Sequence, residues 1–596
     1  MMKKKTKYGI VYVVFRSILQ YIKTSKGWAV SEHCVAVLSS LSWIVGIFFT
    51  QKLFDLITEA SRGNASYSQV GVALGTMAAI TIGQQVLRGI DKYLQSYVSY
   101  KNVGKFMSEL MLKLSRVSAE HFEDPNFLDN IDKTKRCIEY EALGSFSSNC
   151  LRLFTYYGVF FASVSIYFFE LSPLLPLIIF LSFVPAILGQ LFQMKVFIGL
   201  ENESAPLRRQ YSYYKKAISS QQTFKETRIL GAFDFFRNFF SNTLLLLSKK
   251  TWKVERKAAF IRLILSLVSF IGFGVSTIML FNSAMSGEIS IGTFVAIFGV
   301  LSQIFSMAEE LVSIQVSQGS ETIGKIEIYY RLMDMEEMDG KKAVVDFSKG
   351  IVAKDVNFTY PGTSEIAVQS ATITIAEGET IAIVGENGAG KSTLVRLLIG
   401  LYRPDNGLVE IGGQNSSNTH PGSIFRDISA VFQDFLCYKM TLAENIAISN
   451  TKEIRNHDSI QRVLQDCEFY EDSVTLDTML STEFGGIDLS GGQWQRIAIA
   501  RGLYRTNSII VLDEPTAAVD PIEEERVYNQ FKRLSKDKCS ILVTHRLASA
   551  KFANRIVVMD KGKIVDIGCH DELVERKSKY ATMWEAQSAW YVNRSS

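Results

Sequence analysis

The chain has 596 residues, too many for one ordinary domain, with 47% hydrophobic and 12% aromatic residues. That is too apolar for a wholly soluble protein, while 21% charged residues is too many for a wholly membrane-buried one. A formal net charge of +4 is small for this length and gives no support to a nucleic-acid partner.

The N-terminal stretch MMKKKTKYGIVYVVF opens with a basic run, but no small-residue cleavage site follows, so no removable signal peptide is expected. Six apolar stretches then approach the ~20 residues that cross a bilayer. They fall at about 30–52, 68–88, 150–169, 173–194, 259–285 and 290–312, all in the first half. Lys3, Lys4, Lys5 and Lys7 precede the first stretch. The long segments after the second and fourth stretches are also rich in Lys and Arg, for example Lys101, Lys105, Arg116, Arg208 and Lys215. The links after the third and fifth are short and nearly free of charge. The positive-inside rule therefore predicts cytoplasmic termini and cytoplasmic long loops, formed as helical extensions of the spans.

Polar residues inside the stretches are Glu32, His33, Gln84, Gln85, Arg88, Gln190, Gln193, Gln303, Glu309 and Glu310. Such groups face a cavity or a partner helix, and Glu309 or Glu310 is the best candidate for touching a cargo. The seven cysteines (Cys34, Cys137, Cys150, Cys437, Cys467, Cys539 and Cys569) are scattered without C-x-x-C spacing, so they read as reduced thiols packed as small apolar residues.

The predicted organisation is a membrane domain over 1–333, a charged linker over 334–344 and an α/β domain over 345–596. In the last, IVAKDVNFTY, ETIAIVG, LVEIGG, ISAVFQD, SIIVLDE, CSILVTH and RIVVMDKGKIVDIG read as strands between amphipathic helices. Gly385-Glu386-Asn387-Gly388-Ala389-Gly390-Lys391-Ser392, followed by Thr393, fits G-x-x-x-x-G-K-[ST] between an apolar strand and a helix. Glycines there let backbone N–H groups face phosphate, and the helix N-terminus adds positive dipole. Lys391 is expected on the β- and γ-phosphates and Ser392 on Mg²⁺. Ser508–Glu514 is an apolar strand ending in two acids, with Asp513 placed to hold the Mg²⁺ shell and Glu514 to polarise an attacking water. In FGGIDLSGGQWQRIAIAR, Ser490 offers a hydroxyl, Gly491 and Gly492 offer close N–H approach, and a helix follows.

The order of these motifs resembles the ATP-binding-cassette (ABC) family, over essentially all of 345–590. The resemblance implies that Leu489-Ser490-Gly491-Gly492-Gln493 contacts ATP held by a different nucleotide-binding domain. It also implies that Tyr360 stacks on adenine, that Gln433 senses the γ-phosphate and Mg²⁺, that Asp520 crosses the dimer interface, and that His545 is a switch near the γ-phosphate. Six transmembrane helices with long cytoplasmic extensions, followed by an α/β P-loop domain, make half of a type IV exporter. A homodimer in a bacterial plasma membrane is expected, with ATP and Mg²⁺ as cofactors and a heterodimer left open. HFEDPNFLDNIDKTKR (121–136) and TFKETRILGAFDFF (223–236) are expected as coupling helices that dock on the cassettes. HFEDPNFLDNI, AVFQDF and FGGIDLSGGQWQRIA are also similar to exporters of lantibiotics and other bacteriocins, so a peptide cargo is expected. A multidrug or lipid exporter is the alternative, and a non-transport ABC ATPase is disfavoured by the spans. The 29 residues before the first span are too few for the N-terminal cysteine peptidase that some such exporters carry.

Overall fold

The computed structural model describes residues 9–592 except 172, 221–222, 311–318, 339, 472, 506, 515–525, 527, 530 and 534. The chain divides into two compact units. One comprises Met1–Leu112 with Asn130–Asp334, and the other Lys113–Asp129 with Met335–Ser596.

The first unit is helical. It carries α1 (Ile10–Ser25), α2 (Gly27–Ser61), α3 (Tyr67–Leu114), α4 (Pro125–Glu139), α5 (Ala142–Arg152), α6 (Val159–Leu171), α7 (Leu174–Ser219), α8 (Phe224–Ile229), α9 (Phe233–Met285), α10 (Ile291–Glu310) and α11 (Gly319–Met333). Among the described residues, Gly27–Ser61, Tyr67–Leu114, Ala142–Glu170 and Phe233–Met285 are long and apolar enough to cross a membrane, and Ile291–Met307 is a shorter apolar helix. The fourth expected span, 173–194, lies within α7 except for Pro173, its N-cap. The last two residues of the sixth, 311–312, lie outside the described residues, as do the side chains of Gln190, Gln193, Glu309 and Glu310. Helices α3, α7 and α9 run 48, 46 and 53 residues. At 1.5 Å per residue each is about 70–80 Å long, more than twice the ~30 Å hydrocarbon core, so each extends far beyond it. α7 and α9 approach closely through glycine: a Cβ on Gly272 would lie 2.2 Å from Ser182 Cβ, and one on Gly189 would lie 3.0 Å from Leu265.

Several of the described polar residues of the spans join helices to one another. Glu32 is fully buried and accepts from Tyr21 Oη and from Ser148 Oγ at 2.5 Å. Arg152 forks onto Asp91 at 2.9 and 2.5 Å and lies 3.9 Å from Glu32. Gln84 Nε2 donates to the Ser42 carbonyl at 2.7 Å, and Arg88 lies over the Trp43 ring. Immediately after Arg152 the third apolar stretch makes a π-helical turn, Leu153–Gly158, where the Tyr156 carbonyl takes the Ser40 hydroxyl at 2.9 Å. Inserted π turns loosen the helical ladder and free carbonyls for such side-chain partners.

The second unit is α/β. β1 (Ile351–Thr359), β2 (Ile366–Ile375), β4 (Asn406–Ile411) and β5 (Gln414–Asn415) form an antiparallel sheet in the order β2-β1-β4-β5. β3 (Thr380–Gly385), β6 (Ile428–Val431), β7 (Ile509–Asp513), β8 (Cys539–Val543), β9 (Arg555–Asp560) and β10 (Lys563–Gly568) form a second sheet in the order β10-β9-β3-β8-β7-β6. Its pairings are parallel except β9–β10. All five residues of β7 and of β8 are buried, apolar but for Asp513 and Ser540, as strands with both faces covered must largely be. The first core lies among the two sheets and α12 (Lys391–Leu398). A second core gathers α14 (Leu442–Ala447), α15 (His457–Asp466) and α16 (Gly491–Leu503), with α13 (Pro421–Ile424) outside it.

Residues Lys113–Asp129, which join the end of α3 to the start of α4, belong to this second unit. Lys113 Nζ bonds the Met335 carbonyl at 2.5 Å and Glu337 at 2.9 Å, and Met338 N–H donates to the Arg116 carbonyl at 2.6 Å. The turn Ala119–Glu123 ends on Glu123, whose carboxylate accepts from the Tyr402 hydroxyl at 2.5 Å and from Arg396 at 3.5 Å. Ala119 packs against the first core. In the other long loop, α8 and the turn after it leave Ile229 and Leu230 exposed.

Candidate active site

The carboxyl ends of β3, β7 and β8 stand side by side. Ile383 of β3 pairs with Val543 of β8, and Val543 pairs with Asp513 of β7. Open parallel sheets bind ligands beyond this edge, so the loops leaving these three strands define the site.

The loop after β3 is built from glycines that nothing else can replace. Gly385 has φ +155, and a Cβ there would lie 2.4 Å from the Met559 carbonyl oxygen. Gly390 has φ +94, and its Cβ would meet the Ala367 carbonyl oxygen at 2.5 Å. The turn then opens directly into α12, with Lys391 as its first residue. Lys391 is buried, and its ammonium is held by the carbonyls of Gly385 and Glu386, each at 3.1 Å, with Glu514 Oε1 at 3.6 Å. Acceptor oxygens therefore already surround the ammonium.

The next residue, Ser392, donates its hydroxyl to Asp513 Oδ1 at 3.1 Å. Burial pushes the Asp513 carboxyl up from its ordinary value, the Ser392 hydroxyl opposes this, and the neighbouring Glu514 charge adds to it. Glu514 shifts the other way. The His545 ring, with Nδ1 3.7 Å from Oε2, holds it below the usual carboxylate range against burial, and Lys391 helps. Glu514 also takes a left-handed φ of +44, held by its N–H on the Val543 carbonyl at 3.0 Å. A non-glycine residue kept in that region stores strain of the kind found at functional positions.

Two adjacent acids are thus placed differently, one against the hydroxyl of α12 and one against a cation and an imidazole. A hydroxyl and a carboxylate oxygen form a hard-oxygen donor pair that suits Mg²⁺. A lysine ammonium, a glycine loop and a helix N-terminus suit a polyphosphate.

Tyr360, just past β1, donates to or accepts from Thr393 at 2.9 Å, and its ring meets Phe358 and Tyr402 edge-on. Gln433 sits exposed in the loop after β6. Asp520 lies outside the described residues.

The signature turn is built elsewhere in the unit. Ser490 caps α16: its hydroxyl accepts from Gln493 N–H, and the Gln493 side chain accepts from Ser490 N–H at 2.8 Å, a reciprocal capping box. Gln493 Nε2 also donates to Glu471 at 2.5 Å, and Trp494 Nε1 donates to Asp488 at 3.2 Å. α16 belongs to the second core and α12 to the first. The structure thus brings together Gly385–Thr393, Asp513, Glu514, His545 and, through Thr393, Tyr360. It anchors Leu489–Gln493 on a different body of helices.

Sequence reasoning missed Arg396 and Tyr402, which receive Glu123 one turn into and just after α12. The available signal was a cation and an aromatic close behind the phosphate loop, facing an acid in HFEDPNF.

Residues 368–517 match the ABC transporter family. The chain is 28% identical over 571 residues to the subtilin transport ATP-binding protein SpaT of Bacillus subtilis, covering 94% of this chain and 91% of that protein. It is 31% identical over 328 residues to the ATP-dependent lipid A-core flippase of Thiobacillus denitrificans, covering 54% of this chain and 56% of the flippase. In fold it is similar to a bacterial Atm1-family ABC exporter solved with ATP bound, with a TM-score of 0.74 at 19% identity, covering 94% of this chain and 98% of that one.

Proposed function

From the premise that the chain belongs to the ABC transporter family, as a multi-pass exporter that couples ATP hydrolysis to transport, we propose that two copies form the working unit and that the cargo is a peptide. The observation that carries the dimer is the separation of the two ATP-handling motifs onto different cores. Ser490 and Gln493 are satisfied by one another and by Glu471, on α16. Lys391 and Ser392 open α12. A second copy, facing the first head to tail, sets its Leu489–Gln493 turn over the nucleotide held at Gly385–Thr393, and the reverse pair completes a second site.

In each site Tyr360 is assigned to the adenine. Lys391 exchanges its present carbonyl and carboxylate acceptors for the β- and γ-phosphates. Ser392, Asp513 and Gln433 are the residues that would hold Mg²⁺, which supplies charge neutralisation to the phosphates. Glu514, kept as a carboxylate by His545 and Lys391, orients and polarises the attacking water, and His545 remains beside the γ-phosphate. Asp520 is assigned to the interface. ATP binds the closed dimer better than the open one, and that difference drives the spans from an inward-facing to an outward-facing cavity. Hydrolysis resets them. The Lys- and Arg-rich long loops support a cytoplasmic position for both termini and the ATPase domain.

The peptide reading is supported by the full-length similarity to a subtilin transport protein, against a half-length similarity to a lipid flippase. Purified chain in inverted vesicles tests it. ATP-dependent uptake of a cationic lanthionine peptide, together with ATPase stimulation by that peptide, is expected. Stimulation by lipid A or by unrelated hydrophobic compounds, with no peptide uptake, would establish the lipid or multidrug reading instead.

A further inference from the structure

The last described helices of the ATPase domain are α17 (Leu547–Ala550), α18 (His570–Glu575) and α19 (Lys579–Val592). α19 is fixed by a third core. Tyr580 is fully buried with Ala382 and Val384 of β3 and with Leu547, and Met583 and Trp584 pack partly against the same cluster. The Tyr580 hydroxyl meets His570 Nδ1 at 2.8 Å. Positions 580, 583, 584 and 587 recur at helical spacing, so Gln587 falls on the same buried face, one turn further on.

Gln587 uses both ends of its amide on one short piece of backbone. Oε1 accepts from Leu547 N–H at 2.9 Å, and Nε2 donates to the His545 carbonyl at 2.6 Å. This pair of bonds fixes the orientation of the amide, since reversing it sets donor against donor and acceptor against acceptor. The backbone so bracketed is the one that presents the His545 ring to Glu514. At its other end the same helix sends Lys579 to Asp560 at 2.7 Å and to Glu386 of the phosphate loop at 3.2 Å. One helix therefore touches both loops that border the phosphate position.

We infer that Gln587 is a positioning residue for ATP hydrolysis, acting through the backbone of residues 545–547 to hold His545 in line with Glu514. The inference rests on the reading of Glu514 and His545 given above. Small displacements of a reacting group lower rates steeply while leaving ground-state binding intact.

The test compares ATPase kinetics of the full-length chain carrying Gln587→Met, Gln587→Glu, His545→Ala, or Gln587→Met with His545→Ala. Methionine keeps the volume and removes both hydrogen bonds. Glutamate keeps the acceptor for Leu547 N–H but loses the donor to the His545 carbonyl. Either substitution is expected to lower kcat about tenfold while the KM for ATP stays within about twofold. The melting temperature should stay close to wild type. Because Gln587 works through His545, Gln587→Met should lower kcat no further in the His545→Ala background. Wild-type kcat in both Gln587 variants would overturn the inference, as would an undiminished further loss in the double variant, or a parallel fall in melting temperature and ATP affinity. If His545→Ala itself keeps full activity, the underlying reading of the site fails, and that result is distinct from a failure of Gln587 alone.

Discussion

Tyr402→Phe separates the hydrogen bonds of one hydroxyl from the packing of its ring. The Tyr402 ring is buried and stacked on Phe358 with centroids 5.3 Å apart, and phenylalanine fills that space without change. What is lost is the hydroxyl that donates to Glu123 at 2.5 Å and accepts from Arg396 at 3.1 Å. Hydrogen bonds to a charged group contribute about 1.5–3 kcal/mol when sheltered. Glu123 is 42% exposed and keeps Arg396 at 3.5 Å, so water and the guanidinium recover part of this. A loss of about 1 kcal/mol remains, enough to shift the docked and undocked populations of the 119–123 turn about fivefold. If that turn carries the ATPase cycle to the spans, basal ATPase stays within about twofold of wild type. Cargo-stimulated ATPase and ATP-driven uptake into inverted vesicles fall by up to about fivefold. Unchanged stimulation and uptake in Tyr402→Phe would refute the coupling role. A collapse of basal activity would show that Tyr402 serves the nucleotide site instead.

Gly390→Ala should abolish ATP binding, because its φ of +94 and a Cβ 2.5 Å from the Ala367 carbonyl oxygen deform the phosphate loop; fluorescent-nucleotide titration reads this directly. Arg152→Met leaves Asp91 and Glu32 without their cation and should cost about 3–5 kcal/mol, seen as a lower melting temperature, with partial recovery on adding Asp91→Asn. Burial acts to raise the Glu379 carboxyl, but the Arg555 guanidinium and the Ala376 N–H outweigh it and hold it below its ordinary value. A depressed folded-state value means that this stabilisation is present above the unfolded pKa of about 4.3 and is lost as pH falls through the folded value. Melting curves of wild type and Arg555→Met should therefore differ near neutral pH and converge in acid; a constant gap would contradict the assignment.

What could be read from sequence depended on how local the cause was. SIIVLDE announces β7 because a doubly covered parallel strand must be continuously apolar, and the glycines of 385–390 announce a loop whose backbone no other residue permits. β2 (Ile366–Ile375) was not anticipated: IAVQSATITI becomes a strand by pairing with β1, a partner the local pattern does not name. The π turn after Arg152 was equally hidden, since it answers to Ser40, more than a hundred residues earlier. Polar residues of the spans invited a cargo-binding interpretation, yet Glu32, Gln84 and Arg88 are occupied by neighbouring helices. For Gln587, an ordinary glutamine on the last described helix, the position of the 545–547 backbone is the whole signal.

The central claim, that each ATP site is completed by the signature turn of a second chain, is tested most directly by complementation in trans. One chain carries Lys391→Ala, and the other carries Ser490→Arg. Each alone should be nearly inactive, because every site in either homodimer is defective. Mixed and reassembled, half the dimers hold one intact pair, the normal phosphate loop of one chain facing the normal signature turn of the other. About a quarter of wild-type ATPase should return if the subunits mix at random and the sites act independently. A mixture no more active than either parent would contradict a composite site.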